Sequence, residues 1–302
     1  MSHQSSSVKS IIFALLANLG IAITKTVAAV ITGSGAMLAE SIHSFADCGN
    51  QGLLFLGLKA AKKQPDEEHP LGYGKSTYFW SFIVALMLFS MGGLFSIYEG
   101  IHKLHSTEEI SNPLIAIIVL SLSMVLEGAS LWGCITQINT LRHGESLWSW
   151  LKNTRQSELV VVFGEDVAAL FGLAFALISV ILSLITGNPV FDSVGSIGIG
   201  VLLVVVSFFV AIKVKSLLIG QSADKTLRTD IKRVLEQRPE VDRVFSLITL
   251  QLGSQVMVAV KAKMSDSSSA EEMIQNINLC EADLRKTFPS VKWIFFEPDI
   301  ED

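Results

Sequence analysis

Charge is scarce in this sequence. Of its 302 residues only 17% are Asp, Glu, Lys or Arg, while half are hydrophobic. Water-soluble domains ordinarily carry about a quarter charged residues, so the deficit excludes an ordinary soluble globule and points to a membrane. Cysteine is scarcer still. Cys48, Cys134 and Cys280 stand far apart, which provides neither a disulfide framework nor a CxxC zinc site. The net charge of −5 comes without a basic stripe or a stacking platform, so no nucleic-acid partner is expected. No HExxH stretch occurs, which argues against an intramembrane zinc protease. The N-terminal MSHQSSSVKS lacks a cleavable signal pattern, so the first apolar run is expected to be retained as a helix.

Long uncharged runs take the place of charge. Ser76–Tyr98, Val167–Phe191 and Ser193–Ile212 contain no Asp, Glu, Lys or Arg, and Pro113–Leu141 contains only Glu127. Each is at least as long as the ~20 residues that cross a hydrocarbon core. Val8–Ile31 and Ala36–Ala61 are apolar but interrupted, the first by Lys25 and the second by Glu40, His43 and Asp47. Six crossings is the simplest count. Lys and Arg near the span ends set the orientation. With a cytoplasmic N-terminus, Lys9, Lys59, Lys62, Lys63, Lys75, Arg142, Lys152, Arg155, Lys213 and Lys215 all fall inside, and the outer loops hold Lys103. Both termini are therefore expected in the cytoplasm.

From Lys213 onward the composition becomes that of a small soluble domain. TDIKRVLEQ reads as helix, and VDRVFSLITLQL and QVMVAVKAKM as strands joined at Gly253-Ser254. Val256, Val258, Val260, Ala262 and Met264 alternate with Met257, Ala259, Lys261 and Lys263, the period of a half-buried strand. Ser269 with Glu272 opens another helix in a capping-box pattern, with Ile274, Ile277, Leu284 and Phe288 as its expected buried stripe. VKWIFF supplies a third strand. The order αββαβ suits a ferredoxin-like or metallochaperone-like module. It is short for an independent core, so pairing with a second copy is expected.

A charge at bilayer depth costs ~2.5–3.5 kcal/mol or more, so the interruptions need a reason. Glu40, His43 and Asp47 are spaced i, i+3, i+7, on one face of one helix, and Asn50 and Gln51 extend that stripe. At 1.5 Å per residue, Asp47 lies roughly 16 Å into the second span, Asp166 roughly 13 Å into the fifth from the opposite side, and Glu127 roughly 21 Å into the fourth. The three carboxylates fall near one level. An imidazole and several carboxylates converging in a dry bundle make an N/O site for a divalent transition metal. A bound cation displaces the imidazole proton, the physical basis of antiport.

Competing readings stand beside this one. Glu40 is either a metal-binding or proton-relay member of the stripe or is placed to pair with Lys25 across adjacent spans. A lone intramembrane histidine is more often a packing residue, but Asp47 four residues on and a depth-matched Asp166 favour ligation by His43. Glu165 either faces a neighbouring helix or adds a ligand. Glu127 is a ligand, a proton carrier or a hydrogen-bonding partner of a ligand. Cys48 points off the stripe and reads as packing. His102 and His105, with Glu108 and Glu109, form either a metal-collecting patch or ordinary surface.

At GSGAMLAESIHSFAD (Gly33–Asp47) and PDEEHPLGYGK (Pro65–Lys75) the chain resembles the cation diffusion facilitator family of zinc-transporter-like proton antiporters. The resemblance runs over the whole chain. The Glu165-Asp166 pair is similar to that of the divergent branch containing the ninth human zinc transporter. The resemblance implies an α-helical multi-pass membrane protein: six transmembrane helices over residues 1–213 and a cytoplasmic αββαβ dimerisation domain over 214–302. It also implies a transporter rather than an enzyme, one that exports a divalent cation, zinc foremost, in exchange for protons. No prosthetic group is implied, and the partners are a second copy, membrane lipid and the metal ion. A plasma or inner membrane is implied if the source is bacterial. The ligands implied are His43, Asp47 and Asp166. Where the family has a histidine four residues before Asp166, this chain has Val162, so Glu165, Glu127, Asn50 or water fills the place, and manganese, iron or cobalt become alternative cargoes. Asp66 and His69 match two of three positions of the family's loop site, with Tyr73 at the third, so a weak or absent site follows. No histidine lies beyond Lys213, so regulatory zinc binding of the family's kind is not expected there; Glu297 and Asp299 are the remaining cation candidates. A non-transporting metal sensor or scaffold, or an intramembrane metalloenzyme, are the distant alternatives.

Overall fold

The computed structural model describes residues 18–104, 110–142 and 144–301. Its elements are helices α1 (Asn18–Thr32), α2 (Gly35–Ala61), α3 (Ser76–Lys103), α4 (Pro113–Leu141), α5 (Leu147–Asn153), α6 (Ser157–Thr186) and α7 (Val190–Gly220), then α8 (Lys225–Glu236), β1 (Val241–Leu252), β2 (Gln255–Met264), α9 (Ala270–Thr287) and β3 (Val291–Pro298). They form two compact bodies. One gathers the described residues up to Leu56 with Trp80–Leu147 and Glu158–Val214. The other gathers Gly57–Phe79, Trp148–Ser157 and the chain from Lys215 onward.

In the first body, helical stretches beginning at Ser76, Pro113, Ser157 and Val190 are long and apolar enough to cross a membrane. Helix α2 has the length, at 27 residues, but its polar stripe lowers its hydropathy. The first part of the expected Val8–Ile31 span lies outside the described residues. Small and branched side chains form the core: Ala28 and Ala29 of α1, Ala36, Met37 and Ala39 of α2, Leu120 of α4, Leu173 and Ala176 of α6, Leu203 of α7. Alanines let helix backbones approach closely where the hydrophobic effect gives no drive. On α4, Ile118 and Val125 are exposed, as suits a surface meant for lipid. Helix α3 is wound more widely over Leu88–Leu94, a π-type segment of the kind that often marks functional helices.

The turn from α1 into α2 fixes the start of the polar stripe. Gly33 sits at φ +67° and its N–H donates to Ala29 O at 2.8 Å, the left-handed closure that favours glycine. Asp192 of α7 then caps α2. Its Oδ1 accepts from Ser34 Oγ (2.6 Å) and Ala36 N (3.3 Å), and its Oδ2 from Gly35 N (2.5 Å). A carboxylate at a helix N-terminus meets both the unpaired N–H groups and the positive end of the dipole.

The second body contains the expected αββαβ order. Strands β1 and β2 pair antiparallel, β2 and β3 parallel, in the order β1-β2-β3. Val256, Val258, Val260 and Ala262 turn inward against Ile231 and Leu235 of α8 and Cys280 and Leu284 of α9. The other face carries Met257 and Ala259, with Ile248, Leu250, Trp293 and Phe295 as their cross-strand partners. On α9 one expectation fails: Ile274 is exposed. The helix instead turns Met273, Ile277, Cys280, Leu284 and Phe288 toward the sheet, a stripe that follows the 3.6-residue repeat more closely. The cap also differs in detail. Ser269 Oγ accepts from Glu272 N (3.2 Å), but the returning Glu272 carboxylate accepts from Ser268 N (2.6 Å) rather than from Ser269.

The α2–α3 loop packs within this second body. Tyr78 Oη accepts from Gly253 N (2.9 Å) and donates to Gly253 O (3.3 Å). Gly74 lies so close to the β1–β2 turn that any Cβ on it would strike the Leu252 carbonyl.

Candidate metal site

Helix α2 brings its stripe to the interior as its spacing requires. His43 is fully buried and its Nε2 lies 3.6 Å from Asp47 Oδ2. Asp47, Glu127, Glu165 and Asp166 line one cavity of about 520 Å³, part of it open to solvent, together with Ser44, Gln51, Ser130 and Val162. Four carboxylates from α2, α4 and α6 thus line one cavity, in a bundle where each is expensive to hold. Asn50 Nδ2 donates to Glu165 Oε1 at 2.7 Å, tying α2 to α6. Ser130 Oγ is 3.2 and 3.3 Å from the two Asp166 oxygens, tying α4 to α6.

Several polar atoms here are buried without a partner among the described residues: Asp47 Oδ1, Asn50 Oδ1, and both ring nitrogens of His43. Buried polar groups are ordinarily paired; of these residues Asp47 lines the cavity, which makes its orphaned oxygen a candidate ligand position. The carboxylates are not drawn into one coordination sphere: among the described residues no three His, Cys, Asp or Glu stand close enough to hold an ion as arranged. His43 touches Asp47 but is not one of the wall residues. Binding a dehydrated cation therefore requires these groups to close in.

The remaining sequence candidates divide. Glu40 Oε2 is 3.3 Å from Lys25 Nζ, both side chains fully buried, so the ion-pair reading describes it. In the α2–α3 loop, Asp66 is committed to protein donors: Tyr73 Oη (2.7 Å), Lys63 Nζ (3.0 Å) and His69 N (2.8 Å). The Tyr73 hydroxyl and the Lys63 ammonium hold the Asp66 carboxyl well below the usual carboxylate range. The Lys63 ammonium thus engages a carboxylate oxygen that a loop-site cation would need. In the sheet domain, Asp299 Oδ2 is taken by Lys261 Nζ at 3.0 Å. His102 stacks on Tyr98, while His105, Glu108 and Glu109 lie outside the described residues. Ser44 and Ser130 of the cavity wall were not singled out from sequence. The available signal was spacing: each stands three or four residues after an intramembrane glutamate.

A family model described as the cation efflux transmembrane domain matches residues 11–219. The chain belongs to the cation efflux family. This cation efflux chain is 35% identical over 231 residues to the proton-coupled zinc antiporter SLC30A9, mitochondrial, of Homo sapiens, which covers 76% of the chain and 41% of that protein. It is 33% identical over 216 residues to metal tolerance protein C4 of Arabidopsis thaliana, 71% of the chain and 47% of the relative. Magnetosome protein MamB of Magnetospirillum gryphiswaldense is 24% identical over 269 residues, 87% and 86% of the two lengths. The chain spans about two-fifths of the length of the SLC30A9 antiporters it matches. The matched family is one of cation efflux, and the human relative is named as an antiporter.

Proposed function

We propose that this chain is a secondary active transporter that exports a divalent transition-metal cation, zinc foremost, from the cytoplasm in exchange for protons. The observation that carries the reading is the cavity that Asp47, Glu127, Glu165 and Asp166 line together from three helices. A divalent ion entering that cavity neutralises carboxylates that are otherwise costly in the bilayer. Its ligands are Asp47 and Asp166, with His43, 3.6 Å from Asp47, as the nitrogen donor once the helices close. Protons entering from the far side compete for the same oxygens, so ion and protons occupy the site in alternation.

The architecture that serves this reading has six spans, both termini in the cytoplasm, a transport region over residues 1–213 and a ferredoxin-like region over 214–302 that pairs two copies. The open sheet face with Ile248 and Phe295, both more than half exposed, supports pairing there. The host is a plasma or inner membrane if the protein is bacterial. The name of the human relative, a proton-coupled zinc antiporter, supports zinc and protons as the exchanged ions.

Manganese, iron or cobalt as cargo is favoured by one observation. Val162 lines the cavity and His43 does not, so the wall offers oxygen where a zinc site ordinarily has more nitrogen. Uptake into proteoliposomes against a pH gradient tests both. Zinc, manganese, iron and cobalt compete in the wild type, and Asp47→Ala or Asp166→Ala abolishes flux. Wild-type flux in either variant contradicts the assignment.

A further inference from the structure

Lys25 and Glu40 form a buried ion pair beside the carboxylate cavity. Both side chains are completely enclosed. The Lys25 ammonium donates to Glu40 Oε2 at 3.3 Å and to Ser44 Oγ at 2.8 Å, and Ser44 is part of the cavity wall. A positive charge is thus fixed one hydroxyl away from a space meant for cations. Glu40 Oε1 is buried without a partner among the described residues. It packs against Gly172 of α6, where any Cβ would collide with it. The same helix carries Glu165 and Asp166. The pair therefore sits between α1, α2 and the helix that supplies half of the cavity's carboxylates.

In low dielectric a single charge near a divalent ion has a large effect, whereas a tight pair acts only as a dipole. Without Lys25, Glu40 would be a fifth, unneutralised carboxylate beside the cavity, seven residues before Asp47 on the same helix. We propose that Lys25 is a positioning residue: a resident cation that engages Glu40 and Ser44, keeps Glu40 from acting as a further carboxylate beside the cavity, and confines the transported ion to the level of Asp47 and Asp166. This rests on the transport reading above. Lys25 acts through Glu40 and Ser44 and does not touch the cargo.

The test is zinc affinity of the purified full-length chain, measured by competition with a chelating dye at fixed pH, for wild type, Lys25→Met, Glu40→Gln and the double variant. Lys25→Met leaves an uncompensated carboxylate and tightens zinc by about tenfold, while Glu40→Gln leaves an uncompensated ammonium and weakens it by about tenfold. The double variant, neutral at both positions, returns to within about threefold of wild type, and Lys25→Arg matches wild type. A merely structural pair would weaken binding in both single variants. Shifts of the same sign, no shift in either, or a double variant no better than Glu40→Gln overturn the proposal while leaving the transport reading intact. Should Lys25→Met fail to fold, Glu40→Gln and the double variant decide it alone. A wild-type chain that does not bind zinc overturns the transport reading and this proposal together.

Discussion

Asp192 is a cap supplied from another helix: its two oxygens accept from Ser34, Gly35 and Ala36 at the start of α2, and it is almost fully buried. Replacing it with Ala leaves those buried donors unpaired, at a cost of about 3 kcal/mol. A fall in the unfolding temperature of the detergent-solubilised chain checks this; an unchanged temperature contradicts it. Such a contact was not legible in the sequence, because Ser34 and Asp192 are 158 positions apart and nothing local links them. The stripe Glu40, His43, Asp47 was legible, because its spacing is that of a helix face. What sequence could not supply was which groups face one another. Glu40 meets Lys25, Asn50 meets Glu165, and His43 stays off the cavity wall. Outside the membrane spans, Asp66 offers a pH test. Its folded-state pKa is depressed, chiefly by the Tyr73 hydroxyl. Its contribution to stability is therefore present above the unfolded carboxylate value of about 4 and is lost as pH falls through the folded value. Tyr73→Phe should raise the Asp66 pKa in a carbon-13 NMR titration; an unchanged titration would refute this account of the loop.

The strands of the second body were readable at the scale of elements, since β2 alternates residue by residue and Gly253-Ser254 punctuates the hairpin. The α9 stripe was misread by one position at Ile274, because an apolar residue beside the true stripe satisfies the pattern nearly as well. The packing of the α2–α3 loop on that hairpin turn was not legible, as it depends on Tyr78 and Gly74 meeting Gly253 and Leu252 across more than 170 positions. Tyr78→Phe should destabilise by about 1–2 kcal/mol through its two lost hydrogen bonds. Gly74→Ala should do more, since its new methyl group meets a backbone carbonyl that has no rotamer to escape into. Thermal unfolding of the two variants orders them; a Gly74→Ala chain as stable as wild type would show that the loop does not pack as described.

For the whole molecule, the open face of the three-stranded sheet places Ile248 and Phe295 in cross-strand register on either side of Ala259. Asp at both positions should convert the proposed dimer to monomers in sedimentation, while a dimer that survives places the contact elsewhere. The membrane region was legible in outline from its uncharged runs, and α2 was the hard case because Glu40, His43 and Asp47 break its apolar run. The central claim is that the carboxylates gathered from α2 and α6 carry a divalent ion and protons in alternation. Proteoliposomes loaded with a pH indicator test it directly. Adding zinc outside should drive zinc inward and protons outward together, and Asp47→Asn or Asp166→Asn should abolish both movements. Zinc entry with no proton signal, or proton-coupled entry that survives either substitution, would contradict the account.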